Sequence, residues 1–242
     1  MPENSPIPNI RPNPGKNLEI TVDDTVYLRL PIKTPLITEK SDLLEVIEQF
    51  AGPHLLPGDI LCVSEKVVAV TQGRIINMNN VHPSKLARFL ARRVHNNYGT
   101  KNFKGFGHGT PVAMQLLIEE AGYPRVLFAA GVAAVTRPIG IKGAFYHLCG
   151  KLAKSVDCPM SFAILEYAHY AKRAPKDPDA VAKMIRNALG CETVILDANY
   201  LGAFSLGKTT RNISEKFIGK LFADNPAGQS SEMTPFLIVR KK

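Results

Sequence analysis

The sequence predicts an α+β fold, in which strands and helices mix without the regular alternation of a doubly wound parallel sheet. Three observations support this class. An alternating apolar–polar stretch near the N-terminus is typical of paired strands, amphipathic helical segments recur along the chain, and an apolar β-branched stretch, TPFLIV, stands near its end. With 242 residues and 45% hydrophobic content, the chain is long enough to bury its own core.

The first half of the chain predicts strands followed by helices. Residues 1–18 are rich in proline and polar residues and predict a flexible or extended arm, followed by one folded unit over residues 19–242. NLEITVDDTVYLRL predicts a strand or hairpin. SDLLEVIEQFAG predicts a helix capped by Ser41, and HPSKLARFLARRVHNNYG a second helix capped by Ser84 or His82. Between these helices, GDILCVSEKVVAVTQGRIINM predicts a β-rich stretch.

The second half alternates further helices with buried strands. A helix is expected from Thr110 as N-cap and Pro111 as first residue. RVLFAAGVAAVTRPIGIKG predicts a buried strand, and PMSFAILEYAHYAKRAP a helix. DPDAVAKMIRNALG predicts a helix that Asp179 caps and Gly190 ends. TVILDANYLGAF predicts a buried strand ending at Asp197, and TPFLIVRKK a last strand.

Charge and cysteine content restrict the class of protein. The net charge of +9 favours anionic partners, but the chain has no Trp, no zinc-finger spacing and no basic stripe interleaved with aromatic residues, so we expect no nucleic acid. Four cysteines without a CxxC pair predict reduced thiols in a cytoplasmic protein. No apolar run reaches the roughly twenty residues of a membrane span, and no secretory signal is visible.

The octapeptide GAFSLGKT, residues 202–209, matches the letters of a phosphate-binding P-loop. A P-loop needs a strand that runs directly into its first glycine and a helix that starts at its Lys-Thr pair. Here the strand VIL stops several residues before Gly202, and the chain after Thr209 is too short for the remaining βα units. We therefore expect the match to be accidental, with Lys208 at most a loop cation near a phosphate.

Three other features are candidates for chemistry. GFGHGTP, residues 105–111, precedes a helix and is either an anion site or a flexible turn, of which the turn is favoured. His147, Cys149 and Cys158 have irregular spacing for a metal and predict buried side chains instead. Asp197, at the end of an apolar strand, is either a metal or substrate ligand or a turn residue that caps nearby N–H groups.

Several stretches, in order, resemble the coenzyme F420-0:L-glutamate ligase (gamma-glutamyl ligase) family. They begin with TPLI at residues 34–37 and SDLLEVI, and continue with GDILCVSEKVVAVTQGR, HPSKLAR and FAAGVAAVT. DPDAVAKMIR then resembles the family's DPDxSAxxIR helix and is followed by VILDAN at a suitable distance. The resemblance covers the chain from about residue 30 to the last strand.

The resemblance implies a two-lobed, F420-0 gamma-glutamyl ligase-like α+β fold, with two interleaved lobes within residues 19–242, in a homodimer. It also implies that GTP and a divalent metal, Mg²⁺ or Mn²⁺, assist the joining of L-glutamate to F420-0. An acceptor carboxylate would be activated as an acyl phosphate and attacked by the glutamate amine.

Carried over residue by residue, the resemblance implies a nucleotide site and a metal site. Asp197, Gln229 and Glu232 are the implied metal ligands. Arg74 matches the arginine of the family's EGR turn. The implied nucleotide-binding residues are Thr34, Pro35, Leu36, Ile37, Lys66, Gly228, Gln229, Ser230 and Ser231.

Other positions of the family motifs are changed in this chain, so the sequence leaves two hypotheses for its function. A metal-binding aspartate of the family is Ala133 here, and losing one carboxylate weakens a site for a hard cation unless Asp157, Gln229 or Glu232 replaces it. The arginines of a family loop are missing from YLGAFSLGK, and further changes fall at Val70, Gln72, Thr136 and Ala198. The first hypothesis is a nucleotide- and metal-dependent ligase acting on F420-0 or a related acidic metabolite. The alternative is a non-catalytic ligase-like protein that binds a nucleotide or an anionic ligand.

Overall fold

The computed structural model describes residues 10–93, 109–141, 143–161, 163–199, 202–228 and 231–242. The chain forms two compact units. The first comprises residues 1–71 and 176–242, and the second comprises residues 72–175. The second unit is thus an insertion in the sequence of the first, a boundary that no composition change had indicated.

The first unit is built on a six-stranded mixed sheet in the order β1-β2-β8-β3-β6-β7. Only β3 and β6 are parallel, and the other neighbours are antiparallel. The mixture of this sheet with separate helices confirms the α+β class. The strands are β1 (Glu19–Val22), β2 (Thr25–Ile32), β3 (Ile60–Ser64), β6 (Glu192–Asn199), β7 (Gly202–Lys208) and β8 (Phe236–Lys241).

Strands β1 and β2 form the expected hairpin. Val22 pairs with Thr25, so the loop consists of Asp23 and Asp24, both at positive φ (47° and 61°). Two residues with positive φ match the right-handed twist of the flanking strands, and aspartate tolerates this conformation better than most residues. Of the two predicted alternatives, a strand or a hairpin, the structure shows the hairpin.

Among the described residues of this unit, four α-helices accompany the sheet: α1 (Leu43–Phe50), α2 (Glu65–Thr71), α8 (Pro178–Leu189) and α9 (Glu215–Leu221). Ile47 of α1 and Ile185 of α8 belong to the core on one face of the sheet, with Leu30 and Ile195. Ile218 of α9 belongs to the core on the other face. Because both faces are covered, the central strand β3 reads as an uninterrupted apolar run.

The second unit contains a two-stranded sheet and five helices among its described residues. The strands β4 (Ile75–Asn77) and β5 (Tyr170–Lys172) are antiparallel. Met114 and Leu117 of α4 pack with Val126 and Ala129 of α5 in its main core. The helices are α3 (Lys85–Ala91), α4 (Pro111–Ala121), α5 (Tyr123–Thr136), α6 (Ala144–Cys149) and α7 (Lys151–Lys154).

Helix ends followed the sequence signals in part. Ser84 and Thr110 are the N-caps of α3 and α4, each accepting from a backbone N–H three residues on, as predicted. Gly190 ends α8 in the left-handed conformation, also as predicted. Ser41 and Asp179 were wrong as caps, because Asp42 caps α1 and Asp177 precedes α8.

Three element predictions were wrong. RVLFAAGVAAVT lies in helix α5 and not in a buried strand, and only Val126 and Ala129 of that helix are buried. EKVVAVT forms α2 and not part of a β-rich stretch. The stretch after Pro159, expected to be helical, contains a short 3₁₀ turn and strand β5. β-branched residues lowered the helix expectation in the first two cases, where packing outweighed propensity.

The four cysteines are buried free thiols, as predicted. Cys62 lies in β3, and burial raises the pKa of its thiol. Burial also raises the pKa of Cys149 to about 11. None of the helices in the described ranges is long and apolar enough to cross a membrane.

Candidate functional site

The predicted site residues of the first unit gather where its central strands end. Ile32 of β2 and Val63 of β3 both pair with Phe236 of β8, and Val63 also pairs with Ile195 of β6. β2, β3 and β6 therefore end on the same edge at which β8 begins. We call this the strand-end edge; it carries Thr34, Ser64–Lys66, Asp197 and Ser231–Thr234.

Main-chain hydrogen bonds fix the middle of the strand-end edge. The Thr34 N–H donates to the Met233 carbonyl at 2.9 Å, and the Ser64 N–H donates to the Pro235 carbonyl at 2.8 Å. The segment before β8 thus lies between the ends of β2 and β3. Residues that are some 200 positions apart in the sequence become neighbours here.

The turn before this segment explains the glycine of GQSSE. Asn225 Nδ2 donates to the Gly228 carbonyl at 2.9 Å, and Thr234 Oγ1 donates to the Ala227 carbonyl at 2.8 Å. Gly228 has a φ of 76°, and a Cβ there would lie 2.4 Å from Cδ of Glu232. The positive φ therefore favours glycine, and a Cβ would require the flexible Glu232 side chain to move.

The TPLI segment divides between the edge and the core. Thr34 is buried, and its hydroxyl donates to the Pro35 carbonyl at 2.9 Å. Pro35 is exposed and Leu36 is half-buried. Ile37 is a member of the core beneath α1 and α8, so its side chain contributes to packing. The main chain of Thr34 and the surface of Pro35 are what this segment presents at the edge.

Lys66 lies in the first turn of α2, directly after β3. Its N–H donates to the Ser64 hydroxyl at 3.3 Å, and the residue is half-buried. Helix α2 packs against β6, the strand that carries Asp197. The neighbouring Glu65 is buried, which is unusual for a carboxylate. The end of β3 therefore brings one cation and one buried acid to the strand-end edge.

Asp197 is half-buried in β6, whose pairing continues past it. It pairs with Phe204 of β7, and the strand runs on to Asn199. The expectation that the strand ends at Asp197 was therefore wrong by two residues, and the turn-residue interpretation does not hold. Asp197 lies two strands from β8, a main-chain separation of about 10 Å from the segment that contains Glu232.

A complete metal site is not formed by the part of the chain that the structure describes. Within that part, no group of three His, Cys, Asp or Glu side chains is placed to hold a metal ion. Gln229 and Ser230, two predicted site residues, lie outside the described residues. The set of Asp197, Gln229 and Glu232 remains a prediction. Asp157, a possible substitute ligand, lies in the second unit, where its main chain exchanges two hydrogen bonds with Lys172.

GAFSLGKT is not a P-loop, as expected. Residues 202–208 form β7, an antiparallel edge strand, and the next helix begins only at Glu215. Gly207 approaches α8 so closely that a Cβ would lie 2.2 Å from the Pro178 carbonyl carbon. The Lys208 ammonium donates to the Ile213 carbonyl at 2.6 Å. The main-chain N–H of Lys208 donates to Asp179 Oδ1 at 2.9 Å. The glycine and lysine of the motif therefore have structural roles.

The remaining candidate site residues from the sequence lie in different environments. The loop GFGHGTP lies outside the described residues up to His108, and its last residues begin α4. Cys149 and Cys158 are buried as predicted, whereas His147 is exposed. Arg74 forms an ion pair with Glu120 of α4. Burial raises the pKa of Glu120, which Arg74 and Arg173 oppose in part.

A cavity of about 740 Å³ that sequence reasoning missed adjoins the strand-end edge. Its wall includes Ser231, Glu232 and Thr234 of the segment before β8 and Arg11 of the N-terminal segment. Residues 10–18 had been assigned to a flexible arm. Asn13 within this segment is buried, and no sequence signal had indicated that it would be.

Comparison with known protein families agrees with the sequence resemblance. A family model described as F420-0:Gamma-glutamyl ligase matches residues 31–140. This match supports membership of that family. The description of the family indicates a ligase activity. The matched segment contains the TPLI residues and Lys66, whereas Asp197 and Glu232 lie beyond it. No curated protein matches the chain.

Proposed function

We propose that this member of the F420-0:gamma-glutamyl ligase family is a nucleotide- and divalent-metal-dependent amide ligase. Its acceptor would be F420-0 or a related acidic metabolite, and its amino-acid substrate L-glutamate. The observation that carries the proposal is the strand-end edge, because Thr34, Lys66 and Asp197 lie on this edge at or after the ends of three separate strands. The family match supports the ligase class.

The proposed reaction has two steps. The acceptor carboxylate attacks the γ-phosphorus of GTP, so that an acyl phosphate forms and GDP leaves. The glutamate amine then attacks the acyl carbon, the C–O bond to phosphate breaks with its electron pair going to phosphate, and the amine proton passes to solvent. Lys66 would offset negative charge on the phosphoryl group, and the main chain at Thr34 would position the nucleotide.

Metal and nucleotide would bind together. Asp197 supplies one carboxylate, Ala133 stands where the family has a second, and the described residues do not complete a shell. We therefore propose that phosphate oxygens of the nucleotide supply further ligands, since hard divalent cations prefer oxygen. Each ligand would then raise the affinity for the other by the same factor.

Asp197→Asn tests this linkage, because it keeps the size of the side chain and removes its charge. Titration of GTP into the wild-type and variant proteins, each with and without Mn²⁺, yields four affinities. We expect a loss of about tenfold or more with Mn²⁺ and little change without it. An equal loss in both conditions would assign Asp197 a structural role, and no loss in either would place the metal elsewhere.

We also propose a homodimer, with α5 in its interface. The exposed stripe of α5 is apolar throughout, and Phe128 in it is 65% exposed. Gly131 and Ala134, in the middle of the stripe, would let a second helix approach closely. An apolar patch of this kind on a folded chain is typical of a protein interface. The stripe consists of Pro124, Leu127, Phe128, Gly131, Ala134 and Val135 of α5; Pro138 follows the helix, and the exposed Arg125 lies outside the stripe.

Phe128→Glu tests the dimer, because a carboxylate would be buried without a partner in the interface. We expect light scattering to give the mass of two chains for the wild type and of one chain for the variant at micromolar concentration. Leu165→Glu is the matched control, since Leu165 is 80% exposed and lies outside the stripe. A single-chain mass for the wild type would refute the dimer, and a dimeric Phe128→Glu would refute the α5 interface.

The alternative is a non-catalytic ligase-like protein that binds a nucleotide or an anionic ligand. Ala133, half-buried in α5, is the observation that favours it. Phosphate release from GTP in the presence of F420-0, L-glutamate and Mn²⁺ separates the two functions. Acceptor-dependent release supports the ligase, whereas GTP binding without release supports the alternative.

A further inference from the structure

The cavity beside the strand-end edge is lined by four parts of the first unit. The N-terminal segment, residues 10–14, forms one wall, and the end of β2, residues 31–33, forms another. The end of α1 contributes Gln49 and Phe50, and His54 follows it. Ser231, Glu232 and Thr234 connect the cavity to the strand-end edge. The cavity thus lies beside the place where we propose that the reaction occurs.

The N-terminal wall is fixed by buried hydrogen bonds. Asn13, which is 9% exposed, donates from Nδ2 to the Pro226 carbonyl and to Thr234 Oγ1, both at 2.8 Å. Lys16 donates to the Asp224 carbonyl, and the buried Arg29 donates to the Asn17 carbonyl at 2.8 Å. Arg11 is two residues from the Asn13 anchor. Its position on the wall is therefore determined by the fold.

The described residues on the wall of the cavity carry more positive than negative charge. Arg11 and Lys33 are exposed, and neither side chain has an ion-pair or hydrogen-bond partner among the described residues. The imidazole of His54 likewise has none within those ranges. Among the described residues that line the wall, Glu232 supplies the only carboxylate. Two cations and one carboxylate thus face a cavity whose remaining surface includes the apolar side chains of Ile32 and Phe50.

We infer that this cavity binds the amino-acid substrate, an acidic α-amino acid such as L-glutamate. The inference rests on the proposed ligase function. L-Glutamate carries two carboxylates and one ammonium group at neutral pH, which match the two cations Arg11 and Lys33 and the carboxylate of Glu232. Its methylene groups suit the apolar part of the wall. The amine would then lie at the Glu232 side of the cavity, next to the strand-end edge.

This assignment makes Arg11 and Lys33 specificity residues. Lys33 lies within the segment matched by the family model, whereas Arg11 lies twenty residues before that segment begins. Selection of the acidic amino acid would therefore depend on an N-terminal segment outside the matched region. Removal of either cation should weaken binding of a dicarboxylate whether or not the ligand carries an amine.

Calorimetric titration of the full chain with L-glutamate and with glutarate, without nucleotide or metal, tests the assignment. We expect Arg11→Gln and Lys33→Gln each to weaken both ligands about three- to fivefold, as for partly exposed ion pairs. Glu232→Gln should weaken L-glutamate by a similar factor and leave glutarate unchanged or slightly tighter. Lys40→Gln, an exposed cation of the same unit outside the cavity, should bind both ligands as the wild type does.

Three results would overturn the assignment. L-Glutamate could fail to bind the wild type, Arg11→Gln and Lys33→Gln could bind it unchanged, or Glu232→Gln could weaken glutarate as much as L-glutamate. Phosphate release with F420-0 distinguishes this failure from failure of the proposed function. Release with an unchanged KM for glutamate in Arg11→Gln and Lys33→Gln overturns the cavity assignment alone. Absence of release by a wild type that binds glutamate through these residues overturns the ligase alone.

Discussion

Gly207→Ala should destabilise the first unit, although alanine is usually the better residue in regular structure. The Cβ would lie 2.2 Å from the Pro178 carbonyl carbon, 2.4 Å from the Pro178 oxygen and 2.5 Å from the Asp179 nitrogen. These are backbone atoms, so no side-chain rotation relieves the contact. Because carbon atoms in contact are separated by about 3.5 Å or more, α8 would have to move by more than about 1 Å.

The magnitude follows from what that movement disturbs. α8 buries Ala182 and Ile185 in the core, and its Asp179 accepts from the Lys208 N–H at 2.9 Å. Overpacking of a core costs about 1–3 kcal/mol, and a weakened hydrogen bond to a charged group adds about 1 kcal/mol. Gly207 has no positive φ, so the alanine gains at most about 1 kcal/mol from the unfolded chain. The expected net loss is about 1–3 kcal/mol.

Urea unfolding followed by far-UV circular dichroism measures this loss, since the chain has no Trp to serve as a fluorescent probe. With an m-value of about 2 kcal/mol/M, the midpoint should fall by roughly 0.5–1.5 M. Gly219→Ala is the matched control, because a Cβ at this position in α9 meets nothing within 4 Å. It should raise the midpoint slightly. A midpoint for Gly207→Ala at or above that of the wild type would refute the close-packing explanation of this glycine.

Two further predictions concern titratable groups. Burial tends to raise the pKa of Asp224, but hydrogen bonds and the charge of the buried Arg29 outweigh it and hold that pKa below 3.8. A carboxylate whose pKa is lowered in the folded state stabilises the protein above its unfolded-state pKa, and this contribution is lost as the pH falls through the folded-state pKa. Asp224→Asn should therefore lower the melting temperature at pH 7 and lower it much less near pH 3. The cost at pH 7 should be only about 1 kcal/mol, because the Asp224 side chain is 41% exposed. An equal difference at both pH values would contradict this role. The buried thiols, with the pKa of Cys149 raised to about 11, should react with Ellman's reagent at pH 8 only over hours in the native protein and within minutes, four per chain, in guanidinium. Rapid labelling of the native protein would contradict their burial.

Local signals in the sequence determined the elements whose ends are marked chemically. Asp23 and Asp24 specify a two-residue turn, Thr110 and Pro111 start α4, and Gly190 stops α8. Each of these effects operates over a few residues, because a cap or turn residue bonds to backbone groups next to it. The ordered family motifs likewise predicted the family and the α+β class.

Tertiary contacts decided the elements that carry apolar β-branched residues. α5 resembled a buried strand in sequence because its exposed stripe is as apolar as its buried one, so no period distinguishes the faces. α2 is a helix because the chain turns at the end of β3 and packs against β6. GAFSLGKT does not form a P-loop because most of it forms strand β7, which pairs with β6 in the antiparallel direction.

The candidate site shows the same division on a larger scale. Sequence motifs selected Thr34, Lys66, Asp197 and Glu232 as residue types, but their positions along the chain say nothing about which of them are neighbours. The strand order β2-β8-β3-β6 brings them to one edge, and the burial of Asn13 brings Arg11 to the wall of the adjoining cavity. These placements depend on hydrogen bonds between strands distant in sequence and on two-sided burial of the sheet. The sequence therefore determines which functional groups the site can contain, whereas pairing between distant strands determines which of those groups lie near one another.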